Sequence, residues 1–495
     1  MTSPPPTGAR GSPLSQETPM AVQLRPEPAT QAAPREAPDA DTRTTWEIAA
    51  LVFGPVESRA FAIRLWNGLV EAPAGGEPAF TLVLRHPGAL RRMFLPATEL
   101  NLAESYLRDD FDVEGDIERA TLLGDEIAER LRAKSTVVRL LLRLLRLPRG
   151  GGRPLVADGR ARAYGDGRPL PAFLRLPHYI WRHSRRRDAE SVSFTYNTSN
   201  AFYALWLDDH MQYTCAYFRT GKESLAEAQQ AKLELICRKL RLAPGQRLLD
   251  IGCGWGGLLR YAADRYGISG LGVTLSAEQA EWANASFARA GLADRVRAEV
   301  RDYRDLPVDA SWDRVTVVGM MEHVGVANVD RFLARVHGLL NPGGLHLNQC
   351  IVCLYEPPAR SGEAASGRVL RQHNAFMQKY LFPDAEMPTV SEIVAGAERA
   401  GFDVRDVDSL REHYATTFRH WLRRLEQRAD DVRAIVGEEA YRAFRLYMAA
   451  FPPRFEGRWS GLTQVLMAKP TPGGRTAVPR SRDDIYADAS LVGGT

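Results

Sequence analysis

The sequence predicts an α/β fold, in which a doubly wound and mostly parallel sheet follows a smaller α+β domain. One observation is the apolar run Arg247–Ile251, which breaks into a glycine-rich turn before the helix-like residues Leu258–Tyr266. Another is that apolar runs recur at Gly270–Ser276 and Trp312–Gly325, and again after Asn341–Gly344. Strands that alternate in this way with helical segments are typical of parallel sheets with helices on both faces.

The turn after the first run carries the glycines that a ligand-binding turn needs. Gly252, Gly254 and Gly256 let the backbone approach a ligand, and some turn positions require positive φ. The glycine spacing also fits the dinucleotide pattern G-x-G-x-x-G, so the glycines alone do not separate NAD from S-adenosylmethionine. A dinucleotide site needs an acid at the end of the next strand, but that strand ends in Thr274 and Ser276.

This order of motifs resembles the class I S-adenosylmethionine-dependent methyltransferases, whose catalytic domain is Rossmann-like. The resemblance implies that Asp302 lies beside the adenine and that Asn341–Gly344 is the turn before the fifth strand. The implied cofactor site comprises Tyr213, Thr214, Asp250, Gly252, Gly254, Gly256, Thr274, Gln279 and Asp302. A nucleotide-binding fold with another ligand is the alternative.

Composition limits the class of protein. The 495 residues leave room for two or three domains. We expect neither a transmembrane helix nor secretion, because no uncharged apolar run reaches about 18 residues and the N-terminus lacks a signal-peptide core. Five cysteines, an odd number, argue against a disulfide framework and favour a reducing cytoplasm. Cys350 and Cys353 lack a second pair, so we interpret them as buried small residues and expect no metal site.

Composition also divides the chain into parts. Residues 1–43 and 471–495 have few large apolar residues, which predicts disordered tails. Residues 44–133 predict the small α+β domain, residues 134–190 a basic linker, and residues 191–470 the catalytic domain.

Within the small domain the pattern changes several times. Ala79–Arg85 alternates like a strand, whereas Glu99–Arg108 and Gly115–Arg132 have helical patterns. The acidic stretch Asp109–Asp116 lies between the two helical patterns. We interpret this stretch as a loop and cap region rather than a metal site.

Positive charge is concentrated in the linker. Residues 130–190 contain sixteen Arg and Lys but four Asp and Glu, in a chain of net charge +4. Arg139, Arg143 and Arg146 recur at helical spacing among leucines. Such a helix fits an anionic membrane surface, and equally a helix packed between domains. Nucleic acid is not an expected partner, because no binding fold or stacking-aromatic pattern accompanies the charge.

Five further segments carry a more specific resemblance. They are Leu205–Phe218, Gly272–Gln279, Gly319–Gly325, Lys379–Pro383 and His413–Trp421. From about Tyr196 to Lys469 the chain is similar to the cyclopropane-fatty-acyl-phospholipid synthases and the related mycolic acid cyclopropane synthases. The small domain and linker resemble the phospholipid-acting branch, in which the small domain would face the lipid.

The resemblance implies methyl transfer from S-adenosylmethionine to a cis double bond of a membrane phospholipid acyl chain. An alkene is a poor nucleophile, so the sulfonium must lie close to it in a site without water. In the family, a bound bicarbonate then acts as base while a cyclopropane ring closes. The residues implied to hold it are Cys215, Glu322, Gln349, Tyr414 and, through its backbone, Ile351. Gln349 stands where the family has histidine, and the other four match.

Other departures leave the product open. Phe451 stands where the family often has a cysteine, and Thr195–Ala201 departs from another family segment. A sister enzyme that makes methylene- or methyl-branched chains is one alternative, and a catalytically inactive protein that binds lipid and S-adenosylmethionine is another. Taken singly, Cys215 fits buried filler, Tyr414 a helix cap and His323 a structural residue. We expect a cytoplasmic enzyme at the inner face of the membrane, and a homodimer remains open.

Overall fold

Two sheets and the helices around them make up the fold. The computed structural model describes residues 39–155, 183–196, 199–354, 375–476 and 478–486. Its strands are β1 (Ala62–Arg64), β2 (Val70–Glu71), β3 (Phe80–Leu84), β4 (Phe111–Gly115), β5 (Arg247–Ile251), β6 (Ser269–Thr274), β7 (Val296–Val300), β8 (Trp312–Val318), β9 (Leu340–Cys353), β10 (Asp403–Ser409) and β11 (Ser460–Ala468). Its α-helices are α1 (Ala40–Phe53), α2 (Ala89–Phe94), α3 (Glu99–Leu107), α4 (Ile117–Thr121), α5 (Leu123–Arg130), α6 (Lys134–Leu144), α7 (Arg185–Tyr196), α8 (Asn200–Ala204), α9 (Leu225–Lys239), α10 (Gly257–Tyr266), α11 (Ala277–Arg289), α12 (Val329–Leu339), α13 (Ala375–Tyr380), α14 (Val390–Arg399), α15 (Arg411–Gln427), α16 (Ala429–Glu456) and α17 (Asp483–Tyr486).

The larger sheet has seven strands in the order β10-β11-β9-β8-β5-β6-β7. Strands β5 to β9 pair in parallel, whereas β11 runs antiparallel to both β9 and β10. β5 lies between β6 and β8, so the strand order reverses beside it. Ligands of open α/β sheets bind outside the carboxyl ends of the strands at such a point. The predicted fold class, a doubly wound and mostly parallel sheet, is confirmed.

Alternate side chains of β5 pack into two different hydrophobic cores. Leu249 and Ile251 pack in one core with α12, whereas Leu248 packs in the other with α9 and α10. Because side chains alternate across a strand, Asp250 lies on the face of Leu248. An acid is thereby placed on the α9 side at the end of a buried strand.

Gly256 allows close helix packing rather than the approach to a ligand that the glycine motif implies. It adopts φ +77° as the N-cap of α10. A Cβ at this position would lie 2.6 Å from Cζ of Phe287 in α11. The glycine therefore allows α10 and α11 to pack closely, whereas Gly252 and Gly254 line the cavity described below.

The small domain contains a sheet of four strands in the order β2-β1-β3-β4. The prediction that Asp109–Asp116 is a loop and cap region is wrong for residues Phe111–Gly115, which form β4 and pair antiparallel to β3. The cap part of that prediction is confirmed, because the Asp116 carboxylate accepts a hydrogen bond from the Arg119 amide at the start of α4. The helical pattern Gly115–Arg132 is divided at Leu122 between α4 and α5.

Both predicted tails contain ordered residues. α1 begins at Ala40, inside residues 1–43, and its Thr42 side chain is buried. α17 lies inside residues 471–495, and its Ile485 is buried. Each segment contains a buried residue, Thr42 or Ile485, which average composition does not reveal. The remaining tail residues, 1–38 and 487–495, lie outside the described residues.

The small domain shares one hydrophobic core with the catalytic part. Side chains from Ile48 to Leu147 belong to the same buried cluster as the aromatic residues of α15 and α16. Two buried arginines of α16 complete this contact. Arg442 binds the carboxylates of Asp109 and Asp112 at 2.6 and 3.0 Å, and Arg445 binds the Tyr106 hydroxyl at 2.8 Å.

The leucine-rich helix of the linker is present as α6. Leu140 and Leu144 are buried, whereas Val138 and Leu142 are more than half exposed. Of its arginines, Arg143 binds Glu47 of α1 at 2.7 Å. No helix in the described ranges is long and apolar enough to cross a bilayer. The rest of the basic linker, residues 156–182, lies outside the described residues.

Candidate active site

A cavity opens at the carboxyl ends of β5, β6 and β8. Eight of the residues that the sequence assigns to the cofactor line it, namely Tyr213, Thr214, Asp250, Gly252, Gly254, Thr274, Gln279 and Asp302. The ninth, Gly256, does not, for the packing reason given above. We call this space the cofactor cavity.

Polar groups in the cofactor cavity are held by short hydrogen bonds. Burial raises the pKa of Asp250 to about 6, although the Thr316 hydroxyl donates to its carboxylate at 2.8 Å. The Thr274 hydroxyl donates to Gln279 Oε1 at 2.7 Å, which fixes the orientation of that amide. A Cβ at Gly254, where φ is +54°, would lie 3.9 Å from Gln279 Nε2. A larger side chain at Gly254 would therefore enter the cavity.

One side of the cofactor cavity is closed by α7. Burial would raise the pKa of Asp302, but the Arg304 guanidinium outweighs burial and lowers it. Arg304 also binds Asp188 of α7 at 2.9 Å, and Asp188 lines the same cavity. Arg187 of α7 binds Asp384 on the far side. Sequence reasoning missed Arg304 and Asp188, although an arginine two residues after Asp302 was a visible signal.

A second, smaller cavity holds all five residues assigned to the acceptor chemistry: Cys215, Glu322, Gln349, Ile351 and Tyr414. We call it the acceptor cavity. The residues that line both cavities are Tyr196, Tyr213, Thr214, Gly319 and His323. The two cavities therefore meet at a common wall.

Glu322 is the acid of the acceptor cavity. It lies on the 3-10 turn Met321–His323 that follows β8, and it is buried. Its Oε1 accepts a hydrogen bond of 2.7 Å from the Ile351 amide, whereas Oε2 has no partner among the described residues. Burial raises the pKa of Glu322 to about 7. The carboxyl group is therefore divided between its neutral and ionised forms near neutral pH.

Gln349 faces the acceptor cavity from β9. It lies directly opposite Gln464 of β11, whose Nε2 donates to Gln349 Oε1 at 2.8 Å. Gln349 Nε2 is buried and has no partner among the described residues. Sequence reasoning missed Gln464, because the two residues are 115 positions apart and only the strand register joins them.

Burial keeps the other groups of the acceptor cavity neutral. It raises the pKa of the Cys215 thiol and of the Tyr414 hydroxyl, and it lowers the pKa of His323 to about 4. Phe451, at the position of the missing cysteine, packs against Phe418 and Tyr447 with ring centroids 5.0 and 4.9 Å apart. The cavity is thus mostly apolar, and its polar groups are neutral apart from Glu322, whose pKa lies near 7.

The parallel sheet, the glycine turn and a cavity lined by Asp250, Gln279 and Asp302 define a class I S-adenosylmethionine-dependent methyltransferase. Within that class, residues 183–465 match the family model described as mycolic acid cyclopropane synthetase. The chain belongs to this family, whose members carry out S-adenosylmethionine-dependent methyl transfer to lipid acyl chains.

Individual relatives agree with this assignment. The chain is 36% identical to a probable fatty acid methyltransferase of Pseudomonas putida, over 86% of this chain and 95% of the relative. It is 36% identical to the cyclopropane-fatty-acyl-phospholipid synthase of Escherichia coli K12, over 55% of this chain and 66% of the relative. Among solved structures, a mycolic acid cyclopropane synthase in complex with SAH and CTAB superimposes with a TM-score of 0.53 at 30% identity, covering 57% of this chain and 98% of that one.

The raised pKa of Glu322 predicts a pH-dependent stability. A group whose pKa rises on folding from 4.5 to about 7 destabilises the folded state as pH rises from about 4.5, and the cost is complete above about 7. That cost is about 3 kcal/mol. Glu322→Gln keeps the shape but removes the charge, so it should raise the melting temperature relative to wild type more at pH 8 than at pH 5. Thermal unfolding of both proteins in carbonate-free buffer measures this difference, and an equal effect at the two pH values would contradict it.

Proposed function

We propose that this enzyme methylates the cis double bond of unsaturated acyl chains in membrane phospholipids and closes a cyclopropane ring, with bicarbonate as the base. The observation that carries the proposal is the pair of unpartnered buried groups in the acceptor cavity, Glu322 Oε2 and Gln349 Nε2. Buried polar atoms are nearly always paired, so two that face one cavity favour a polar ligand there.

Bicarbonate fits this pair chemically. When Glu322 is protonated, its hydroxyl donates a hydrogen bond to an anion, and the Gln349 amide donates another. The pKa of about 7 makes the protonated form accessible near neutral pH. Cys215 and Tyr414 stay neutral beside them because burial raises the pKa of both groups. The chain therefore offers donors to an anion without a second negative charge.

The wall between the cavities supports methyl transfer. When bound, S-adenosylmethionine supplies an electrophilic methyl group and bicarbonate a base. Tyr196 and Tyr213 line both cavities, with ring centroids 6.3 Å apart. Aromatic faces stabilise positive charge, which develops on the acyl chain after the alkene attacks. The apolar lining by Phe382, Phe451 and Leu462 suits a hydrocarbon chain.

A branched product is the second candidate. Gln349 carries no charge, so it holds an anion more weakly than an imidazolium at the same position would. When the base is held more weakly, the cation loses a proton from the acyl chain, which leaves a methyl branch on a double bond. After a 1,2-hydride shift it can instead lose a proton from the added methyl group, which leaves a methylene branch. The relative from Pseudomonas putida bears the broader name of a probable fatty acid methyltransferase.

Expression in a bacterium that makes unsaturated phospholipids but lacks cyclopropane chains tests the function. Mass spectrometry of its fatty acids should show a gain of one carbon as a ring. A methylene or methyl branch would support the second candidate instead, and unchanged chains would support an inactive lipid- and cofactor-binding protein. The control is Gly254→Val, whose side chain fills the cofactor cavity and should abolish any product.

We also propose that α6 lies on the anionic inner surface of the membrane. Its outer face exposes Val138, Leu142 and Leu145, each by more than half. Arg139 and Arg146 are exposed beside this apolar stripe. The opposite face, with Leu140 and Leu144, is packed into the core. An apolar stripe with basic flanks favours a membrane interface over a solvated or fully packed helix.

Vesicle flotation tests the membrane contact. The protein should bind phosphatidylglycerol vesicles more tightly than phosphatidylcholine vesicles and should be released by high salt. The double substitution Arg139→Gln and Arg146→Gln should cost about 2 kcal/mol of binding, because each arginine near the headgroups contributes about 1 kcal/mol. Arg143→Gln is the matched control, since Arg143 is paired with Glu47 and should matter less. Binding that ignores lipid charge and salt would contradict the proposal.

Because Gln349 carries no charge, we expect the activity of the enzyme to depend strongly on added bicarbonate. Turnover in carbonate-depleted buffer should be low and should recover as bicarbonate is added stepwise. Gln349→His should lower the concentration needed, because an imidazolium holds the anion by charge and the Gln464 amide can turn its oxygen toward it. Gln349→Met, of similar length but without a donor, should raise it. Full wild-type activity in depleted buffer, unchanged by Gln349→His, would show that another group removes the proton.

A further inference from the structure

The segment Gln212–Cys215 contributes to the common wall and has no regular secondary structure. Gln212 lines the cofactor cavity and Cys215 the acceptor cavity, while Tyr213 and Thr214 line both. Backbone outside helices and strands lacks a ladder of hydrogen bonds, so its position depends on the side chains that bind it. Two such side chains come from α9.

Gln229 and Lys232 lie one turn apart on α9, and both are fully buried. Gln229 Nε2 donates to the Thr214 carbonyl at 2.8 Å and to the Gln212 carbonyl at 3.3 Å. The Lys232 ammonium donates to Gln212 Oε1 and, at 3.0 Å, to the Thr214 hydroxyl oxygen. The amide therefore holds the backbone of the segment, and the lysine holds its side chains.

Burying an ammonium group costs free energy, because the charge loses its hydration. Burial lowers the pKa of Lys232 to about 8, against the opposing charges of Asp208 and Asp250, which are also buried. An apolar side chain at this place would pack without the cost of desolvating a charge. The presence of a charge at this buried position therefore indicates that Lys232 has a role in the adjoining site.

The direction of these hydrogen bonds determines whether the Thr214 hydroxyl can donate a hydrogen bond to another group. An ammonium group only donates, so Gln212 Oε1 and the Thr214 oxygen must accept. Gln212 Nε2 accordingly donates to the His210 carbonyl at 3.2 Å. The Thr214 hydroxyl proton cannot point at Lys232, so it is available to an acceptor in the cavities that Thr214 lines.

We propose that Lys232 is a positioning residue, which fixes Gln212 and Thr214 so that the Thr214 hydroxyl donates a hydrogen bond to the carboxylate of the ligand in the cofactor cavity. S-adenosylmethionine and its product S-adenosylhomocysteine both carry that carboxylate at the amino-acid end. The lysine acts through Thr214 and does not line either cavity.

Calorimetry on the full chain without added lipid tests the proposal with two ligands. S-adenosylhomocysteine carries the carboxylate and no sulfonium charge, whereas 5′-methylthioadenosine lacks the amino-acid end. Lys232→Met should weaken S-adenosylhomocysteine binding about tenfold or more and leave 5′-methylthioadenosine binding within about twofold. The matched control is Lys239→Met on the same helix. Lys239 is equally buried and binds Asp408 at 2.7 Å, but lines neither cavity, so this change should leave both affinities unaltered.

Substitutions of Thr214 keep the test decisive if Lys232→Met does not fold. Thr214→Val has the same shape without the hydroxyl and should lose S-adenosylhomocysteine affinity as Lys232→Met does, whereas Thr214→Ser should retain it. Lys232→Met added to Thr214→Val should cause little further loss, because both act on one hydrogen bond. Unchanged S-adenosylhomocysteine binding by Thr214→Val, or equal losses for both ligands in Lys232→Met, would overturn the proposal.

Discussion

The close contact between the two cavities is the constraint on which the site depends, because a methyl group is transferred only between atoms that nearly touch. Three separate parts of the chain meet there: α7 through Tyr196, the segment Gln212–Cys215, and the turn after β8 through Gly319. Gly319 has φ +72°, and a Cβ there would lie 2.8 Å from Thr214 Cγ2. A side chain at this position would push the segment away from the sheet and widen the wall. Gly319 after β8 and the side chains of Gln229 and Lys232 on α9 therefore act together to keep the wall thin.

The same packing sets the electrostatics of the acceptor cavity. Burial raises the pKa of Glu322 to about 7 and lowers that of His323 to about 4, so both groups shift toward their neutral forms. Asp250 lines the cofactor cavity but not the acceptor cavity, and Lys232 lines neither. A hydrocarbon chain can enter such a cavity without desolvating fixed charges, and each remaining hydrogen bond is stronger than in water. The same arrangement of side chains thus makes the acceptor cavity both dry and weakly polar.

The sequence alone was enough to predict which residues line the cofactor cavity where those residues lie in short segments at strand ends. Asp250, Gly252, Thr274 and Asp302 lie at or just after the carboxyl ends of β5, β6 and β7, and parallel topology brings those ends together without further information. The stretch Phe111–Gly115 was mistaken for a loop because acids are rare in strands, yet its pairing with β3 and the arginines of α16 overrides that preference. Lys232 and Gln464 were missed for a related reason. A lysine in a helix of mixed charge looks solvated, and a strand glutamine shows no partner until the register of β9 and β11 is known.

The small domain contributes to the acceptor cavity without lining it. α16 supplies Tyr447 and Phe451 to the cavity wall. The position of α16 depends in turn on Arg442, whose guanidinium is buried against Asp109, Asp112 and the Tyr106 carbonyl. Without those partners the buried guanidinium would keep, among the described carboxylates, only Glu438 of its own helix, at 2.8 Å, so α16 would lose its ionic contact with the small domain. The cofactor cavity is lined by residues 188–324 and contains none of α16. The small domain and α16 therefore support the acceptor cavity directly, whereas they reach the cofactor cavity through the shared core, to which Met211 and Trp255 belong.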